Sequence, residues 1–143
     1  MATLPVMTRA EVEAFLERDF PQIHHGGRSY QVEAVGPLTA RVRLAYHERH
    51  LRPGGTISGP AIMALADLTL YVAILANIGP VGLAVTTNLS FNFLRKPGRS
   101  DLLAECRLLK LGKRLAMGEV AIRSHGDDEI VCHATGTYSI PQA

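Results

Sequence analysis

The sequence contains no tryptophan, and four phenylalanines and four tyrosines bring aromatics to only 6% of residues. A nucleic-acid binder normally carries a basic stripe interleaved with aromatics, and a formal net charge of +2 leaves no such stripe. Nucleic acid is therefore not an expected partner. Cysteine is equally scarce, with Cys106 and Cys132 in separate apolar segments. Neither belongs to a CxxC pair, so a zinc or redox centre has little support. Both are expected to be buried thiols of a reduced, cytoplasmic protein. His24 and His25 have no partners at metal-ligand spacing, and no metal is expected. Residues 1–7 lack a basic start followed by a long apolar stretch, so no secretory signal is read there. The longest apolar run, Ala61–Ala76, is too short to span a membrane and is interrupted by Asp67. No repeat or low-complexity segment divides the chain. Its 143 residues, 47% of them apolar, suit one domain over 1–143.

What is present reads as a helix, a hairpin, a buried helix and a set of strands. Thr8 and Glu11 have the spacing of a capping box, and Val12, Phe15 and Leu16 follow at helical spacing. This predicts an N-terminal helical segment within 1–22, ended by Pro21. Strands are expected over Ser29–Val35 and Leu38–His47, joined at Gly36-Pro37. A glycine- and proline-rich loop from Arg52 then feeds the apolar run. Ser58 or Gly59 caps that run, Pro60 suits its first turn, and Asn77 with Gly79-Pro80 stops it. Four strands are expected after it, over Leu83–Leu94, Leu102–Leu111, Arg114–Ser124 and Glu129–Ile140, as an antiparallel meander. A helix apolar on nearly every side must be wrapped. The expected class is α+β, a curved antiparallel sheet around one long central helix.

The loop and the helix that follows it carry the chemistry. A helix start presents unpaired N–H groups and the positive end of the dipole. Gly59 has no side chain, so a substrate carbonyl can approach its N–H. Asp67 lies two turns on, a lone carboxylate among Ala, Leu and Ile, costly to bury without partners or a task. By themselves these residues also fit a plain cap and a carboxylate bonded to strand backbone or a hydroxyl.

The segment His50-Leu-Arg-Pro-Gly-Gly-Thr-Ile-Ser-Gly-Pro-Ala-Ile-Met-Ala-Leu-Ala-Asp67 resembles the pattern HLNPxGxxHGGxxxxLxD. Thr86-Thr-Asn-Leu-Ser-Phe-Asn-Phe-Leu-Arg-Lys-Pro-Gly-Arg-Ser-Asp101 is similar to a strand ending in NFLRPxxxGD. Both belong to hotdog-fold thioesterases related to the phenylacetic-acid-pathway enzyme (PaaI-like) and to 4-hydroxybenzoyl-CoA thioesterase. The resemblance implies an acyl-CoA thioesterase built as a homodimer, as a rule a dimer of dimers (a homotetramer), with active sites at the subunit interface. It implies Asp67 as nucleophile or general base, and a Gly59 N–H that polarises the thioester carbonyl. It implies that Thr86, across the interface, orients the water or the carboxylate. Coenzyme A enters as part of the substrate, so no cofactor is implied. Its phosphates would meet basic residues, for which Arg95, Lys96 and Arg99 are candidates, grouped with Lys113 and Arg114 if the meander brings their turns together.

Three positions depart from the pattern. Arg52 stands in place of Asn, Ser58 in place of His, and Pro60 in place of the second Gly. Pro60 cannot donate an N–H, Ser58 cannot hold a proton as imidazole does, and Arg52 can pair with Asp67 or with a phosphate. Arg52 and Ser58 are thus counted with the substrate-binding residues. They also motivate an alternative, a non-catalytic acyl-CoA binding protein on the same fold. A hydratase ranks last, since 68–76 contain no His. Leu89, Phe91 and Phe93 are expected in the core. His47 and His50 are read as ordinary strand-end or loop histidines, and His125 and His133 as structural or surface residues.

Overall fold

The computed structural model describes residues 4–142, so residues 1–3 of the N-terminal segment and residue 143 lie outside the described residues. The capping box forms as the spacing predicts. Glu11 N–H donates to Thr8 Oγ1 at 3.2 Å, and Thr8 N–H donates to Glu11 Oε1 at 2.9 Å. Helix α1 runs over Arg9–Asp19 and buries Val12, Phe15 and Leu16. A 3₁₀ turn over Pro21–His24 follows, then Gly26 and Gly27 at φ 83° and 127°.

Strands β1 (Tyr30–Gly36) and β2 (Thr39–Leu44) form the hairpin. Its turn places Leu38 at φ 56°, a conformation costly for a branched side chain. Asn77 holds it there. Its Oδ1 accepts Leu38 N–H at 3.0 Å, while its Nδ2 donates to Ala73 O at 2.8 Å and Gly36 O at 3.3 Å. Strand β2 stops at Leu44, three residues short of the expected end. Ala45 N–H is taken by Ser29 O at 2.8 Å and Tyr46 N–H by Asp101 Oδ1 at 2.7 Å. Asp101 also pairs with Arg43 at 3.0 Å, so the last residue of the second motif fastens the end of β2.

Helix α2 spans Gly59–Ile78, and Ser58 Oγ accepts Ala61 N–H at 3.3 Å. Thirteen of its residues, from Ala61 to Ala76, are buried, so its apolar surface is spent inside the protein. Strands β3 (Val85–Phe93), β4 (Leu102–Leu111), β5 (Leu115–Ser124) and β6 (Ile130–Ser139) complete a six-stranded antiparallel sheet. This is the hotdog architecture, a sheet curved around one helix. The sheet order is β1-β2-β4-β5-β6-β3, which corrects the simple meander. Of the four strands after α2, only β4, β5 and β6 follow one another in space. Strand β3 lies at the far edge on β6, because α2 carries the chain across the sheet before β3 begins.

Two glycines set how deeply α2 sits. Gly118 on β5 and Gly136 on β6 are register partners. A Cβ at Gly136 would come within 2.6 Å of both Leu70 Cδ1 and Leu89 Cδ2, and one at Gly118 within 3.0 Å of Leu70 Cδ2 and of Arg107 O. Leu70 therefore seats in a trough of bare backbone, at the close-packed density of a core. The opposite sheet face carries cross-strand ion pairs such as Arg107–Glu119 at 2.7 Å and Arg41–Glu33 at 3.2 Å.

Filling the trough should unseat the helix. Gly136→Ala is expected to lower stability by about 1–3 kcal/mol, measured by denaturant unfolding, because the new methyl overpacks against Leu70 and Leu89.

Candidate active site

Asp67 lies half-buried on α2, one turn before Leu70. The strand step from Gly136 to Tyr138 keeps both residues on the face turned to the helix. As Gly136 meets Leu70, Tyr138 meets Asp67. Tyr138 O–H stands 2.5 Å from Asp67 Oδ1 and 2.9 Å from Asp67 O. Its single proton goes to the nearer, charged oxygen. Thr86 Oγ1 donates to the same Oδ1 at 2.6 Å. Thr86 and Tyr138 are register partners across β3 and β6, and a bulge between Thr86 and Asn88 bends the edge strand beside the carboxylate. The bond from Thr86 to Asp67 is made within one chain, correcting the expectation that Thr86 serves a site across the interface.

Tyr138 was absent from the candidates drawn from the sequence. Its signal was present: Ala134, Gly136 and Tyr138 alternate onto the buried face of β6, and a buried phenol needs a partner. Burial first, then the Asp67 charge, pushes its hydroxyl well above the ordinary tyrosine range, so it remains a neutral donor. Tyr71 stacks on its ring at 6.3 Å and 27°, and Phe20 meets Tyr71 edge-on at 5.9 Å. Tyr71 is anchored in turn, donating to Gly82 O at 3.0 Å. Asp67, Thr86 and Tyr138 line a cavity of about 520 Å³ whose walls include Phe20, Ile23 and Leu68. The 3₁₀ turn after α1 thus forms one side of the cavity.

Gly59 lies elsewhere. Eight positions before Asp67, it is about 12 Å away along the helix axis. It lines a second cavity of about 380 Å³ with Arg52, Ile62, Phe93, Arg95 and Lys96. Pro60 has no N–H and Ala61 N–H is held by Ser58 Oγ. Gly59 N–H is then the donor of that turn with no protein acceptor among the described residues. A Cβ at Gly59 would meet nothing nearer than Phe93 at 3.9 Å, so the approach is open. Arg99 reaches over the same loop, its Nη2 within 2.9 Å of where a Gly55 Cβ would stand.

Of the sequence candidates, Asp67 and Thr86 are brought together at one cavity. Gly59, Arg52, Arg95 and Lys96 meet at the other, with Arg99 beside it. Ser58 caps the helix and faces its backbone. Arg52 makes no ion pair with Asp67 among the described residues and holds the loop through Arg52 N–H to Thr56 O at 2.8 Å. Arg95 pairs with Glu129. Lys113 lines a pocket with Ile78, at the other end of α2, so the five-residue basic grouping is corrected to its first three members. Phe93, expected in the core, is 48% exposed on the outer edge strand. Leu89 and Phe91 are only partly buried.

The histidines stay apart from Asp67. His47 Nδ1 accepts Arg49 N–H at 3.0 Å, and His50 packs edge-on against His47 at 6.4 Å. Burial, aided by Arg49, lowers the His50 pKa and keeps it neutral. His133 pairs with Glu119 at 3.0 Å, and His125 lies in the turn after β5 beside Arg43 at 3.5 Å. No cluster of three His, Cys, Asp or Glu with metal-binding geometry occurs among the described residues. The arrangement suits hydrolysis of an acyl group on an anionic carrier: a carboxylate beside one cavity, a free N–H and cationic side chains beside the other.

Comparison with known proteins gives the family. The thioesterase superfamily model matches residues 54–131. An inferred esterase of Pseudomonas aeruginosa is 32% identical over 119 residues, covering 77% of this chain and 87% of that protein. The crystal structure of an inferred thioesterase from Silicibacter sp. TM1040 superposes with a TM-score of 0.87 at 46% identity, covering 96% of this chain and 94% of that one. A mutant of the phenylacetic acid degradation protein PaaI from Thermus thermophilus gives 0.69 at 25% identity, covering 90% and 99%.

Neither cysteine serves the site. Burial pushes Cys106 up to about 12 and raises Cys132 as well. Both thiols should resist Ellman's reagent at pH 8 in the native protein and react, two per chain, once it is denatured.

Proposed function

The chain belongs to the thioesterase superfamily, and on that premise we propose that it hydrolyses acyl-CoA to a free acid and coenzyme A at a site shared by two copies of the chain. The observation that carries this reading is the course of β3. Thr86, near its start, lines the Asp67 cavity, and Phe93, at its end, lines the Gly59 cavity. Among the described residues, no strand lies beside the outer edge of β3. Such an edge, with Val85 and Phe93 exposed, is a template for another strand. Antiparallel pairing of two β3 strands about their middle lays the Thr86 end of one against the Phe93 end of the other. The Asp67 cavity of each copy then faces the Gly59 cavity of its partner. A homodimer thereby joins a carboxylate to a carbonyl-polarising N–H that one chain keeps apart.

In this reading the acyl group fills the cavity walled by Phe20, Leu68 and Tyr71. The thioester oxygen accepts from Gly59 N–H, where the helix dipole adds to the stabilisation of the developing oxyanion. Asp67 acts as nucleophile toward the carbonyl carbon or as general base toward water. Arg52, Lys96 and Arg99 meet the CoA phosphates, and no further cofactor is required. Buried thiols suit a reduced cytoplasm. The second reading, acyl-CoA binding without turnover, draws on Ser58, whose hydroxyl is occupied by the helix cap.

A panel of short, long and aromatic acyl-CoAs, followed by thiol release, separates the two. Turnover on some member is expected, with Asp67→Asn lowering kcat by about 10²–10⁴-fold. Tight binding without turnover across the panel would favour the binding protein, and an Asp67→Asn variant at parent rate would sink the mechanism. Reversing two cations, Lys96→Glu with Arg99→Glu, should raise KM for acyl-CoA by about tenfold at low salt, less at high salt. KM for the same acyl group on a short uncharged thiol should stay put.

A further inference from the structure

We infer that Tyr138 is a positioning residue that, with its cross-strand partner Thr86, ties Asp67 through Oδ1 and so makes Oδ2 the oxygen that reacts. The inference rests on reading Asp67 as the reactive acid and adds which of its two oxygens acts, and why. A carboxylate on a helix can turn about its terminal torsion, which is broad and two-fold. Two donors on one oxygen remove that freedom. Tyr138 O–H at 2.5 Å and Thr86 Oγ1 at 2.6 Å both address Oδ1, while Oδ2 has no protein donor among the described residues, and Asp67 lines the cavity.

The donors are themselves held. Register pairing of Thr86 with Tyr138 sets their spacing through the ladder of β3 and β6. The Tyr138 ring is buried at 3% exposure and stacked on Tyr71, whose hydroxyl is fastened to Gly82 O. Stacking on Tyr71 helps to hold the Tyr138 ring in this orientation. The pair therefore aims Asp67 without taking part in bond making. Two routes are open to Oδ2. In one it forms a bond to the thioester carbon as the C–S bond breaks and the thiolate leaves, and water then cleaves the mixed anhydride, releasing the acid and restoring the carboxylate. In the other it takes a proton from the water whose oxygen forms that bond, and passes that proton to the thiolate as the C–S bond breaks. In both, Oδ1 stays with its two donors and the proton or acyl group is carried by Oδ2.

The test compares Tyr138→Phe, Thr86→Val and Thr86→Ser with the parent. Tyr138→Phe keeps the stacked ring and removes one hydroxyl. Kcat should fall about 10- to 100-fold, the size expected of one hydrogen bond to a charged group, with KM within about twofold. Thr86→Val should act likewise and Thr86→Ser should restore most of the rate, and this pair carries the test if Tyr138→Phe fails to fold. A parent kcat in both Tyr138→Phe and Thr86→Val overturns the positioning role while leaving Asp67 as the acid. A second readout is independent of turnover. In protein labelled with ¹³C at aspartate Cγ, the Asp67 resonance, identified by its loss in Asp67→Asn, should move in Tyr138→Phe and in Thr86→Val. An unmoved resonance overturns the inference even if no thioester proves to be a substrate. Shifted resonances with no hydrolysis by the parent protein would uphold the Oδ1 tie and place the failure in the assigned activity.

Discussion

The seating of Leu70 between Gly118 and Gly136 is the constraint on which the rest depends. Helix α2 is apolar on almost every side, so burial favours wrapping it but does not choose its depth or its rotation. The glycine pair chooses both. A side chain at either position would crowd Leu70 out of its seat. With Leu70 in the trough, the residue one turn earlier faces the residue two places further along β6. That match of a helical step to a strand step brings Asp67 to Tyr138, and the β3–β6 register brings Thr86 with it.

The cost of placing a carboxylate in such a helix is met locally. A half-buried Asp needs donors, and two neutral hydroxyls supply them without introducing a countercharge. An arginine in their place would form an ion pair and occupy the cavity. Arg52, the one cation the sequence suggested for that part, instead stays with the glycine loop at the helix start. The cations and the acid are thus separated along α2, the cations near the positive end of the helix dipole and the acid near its middle. Asp67 and the basic residues therefore lie beside opposite ends of β3.

The departures at 52, 58 and 60 also acquire a structural meaning. Ser58 caps the helix and Pro60 stiffens its first turn, so the start of α2 is well ordered without an imidazole. With Ala61 N–H capped and Pro60 lacking an N–H, Gly59 is the donor left facing the second cavity. The loop before it is closed by its own backbone bonds and by the bridge of Leu51 with Ile57.

Much of this was legible in the sequence, because the signals are local. The capping box at Thr8 and Glu11, the apolar run with one acid, the glycines and prolines at its ends, and the strand patterns that follow it each depend on neighbours a few residues apart. They determined the elements, the α+β class and the two loci of interest, Gly59 and Asp67. Long-range pairing decided the remainder. That β3 crosses to β6, that Thr86 reaches Asp67 within its own chain, that Phe93 stands exposed, and that Lys113 lies far from Lys96 all follow from the path of the chain over α2. Tyr138 is the clearest case. Alternation marks it as buried, but only packing against the helix, at the depth the two glycines allow, sets its hydroxyl on Asp67, because hydrogen bonds are made across space and carry no trace of separation along the chain.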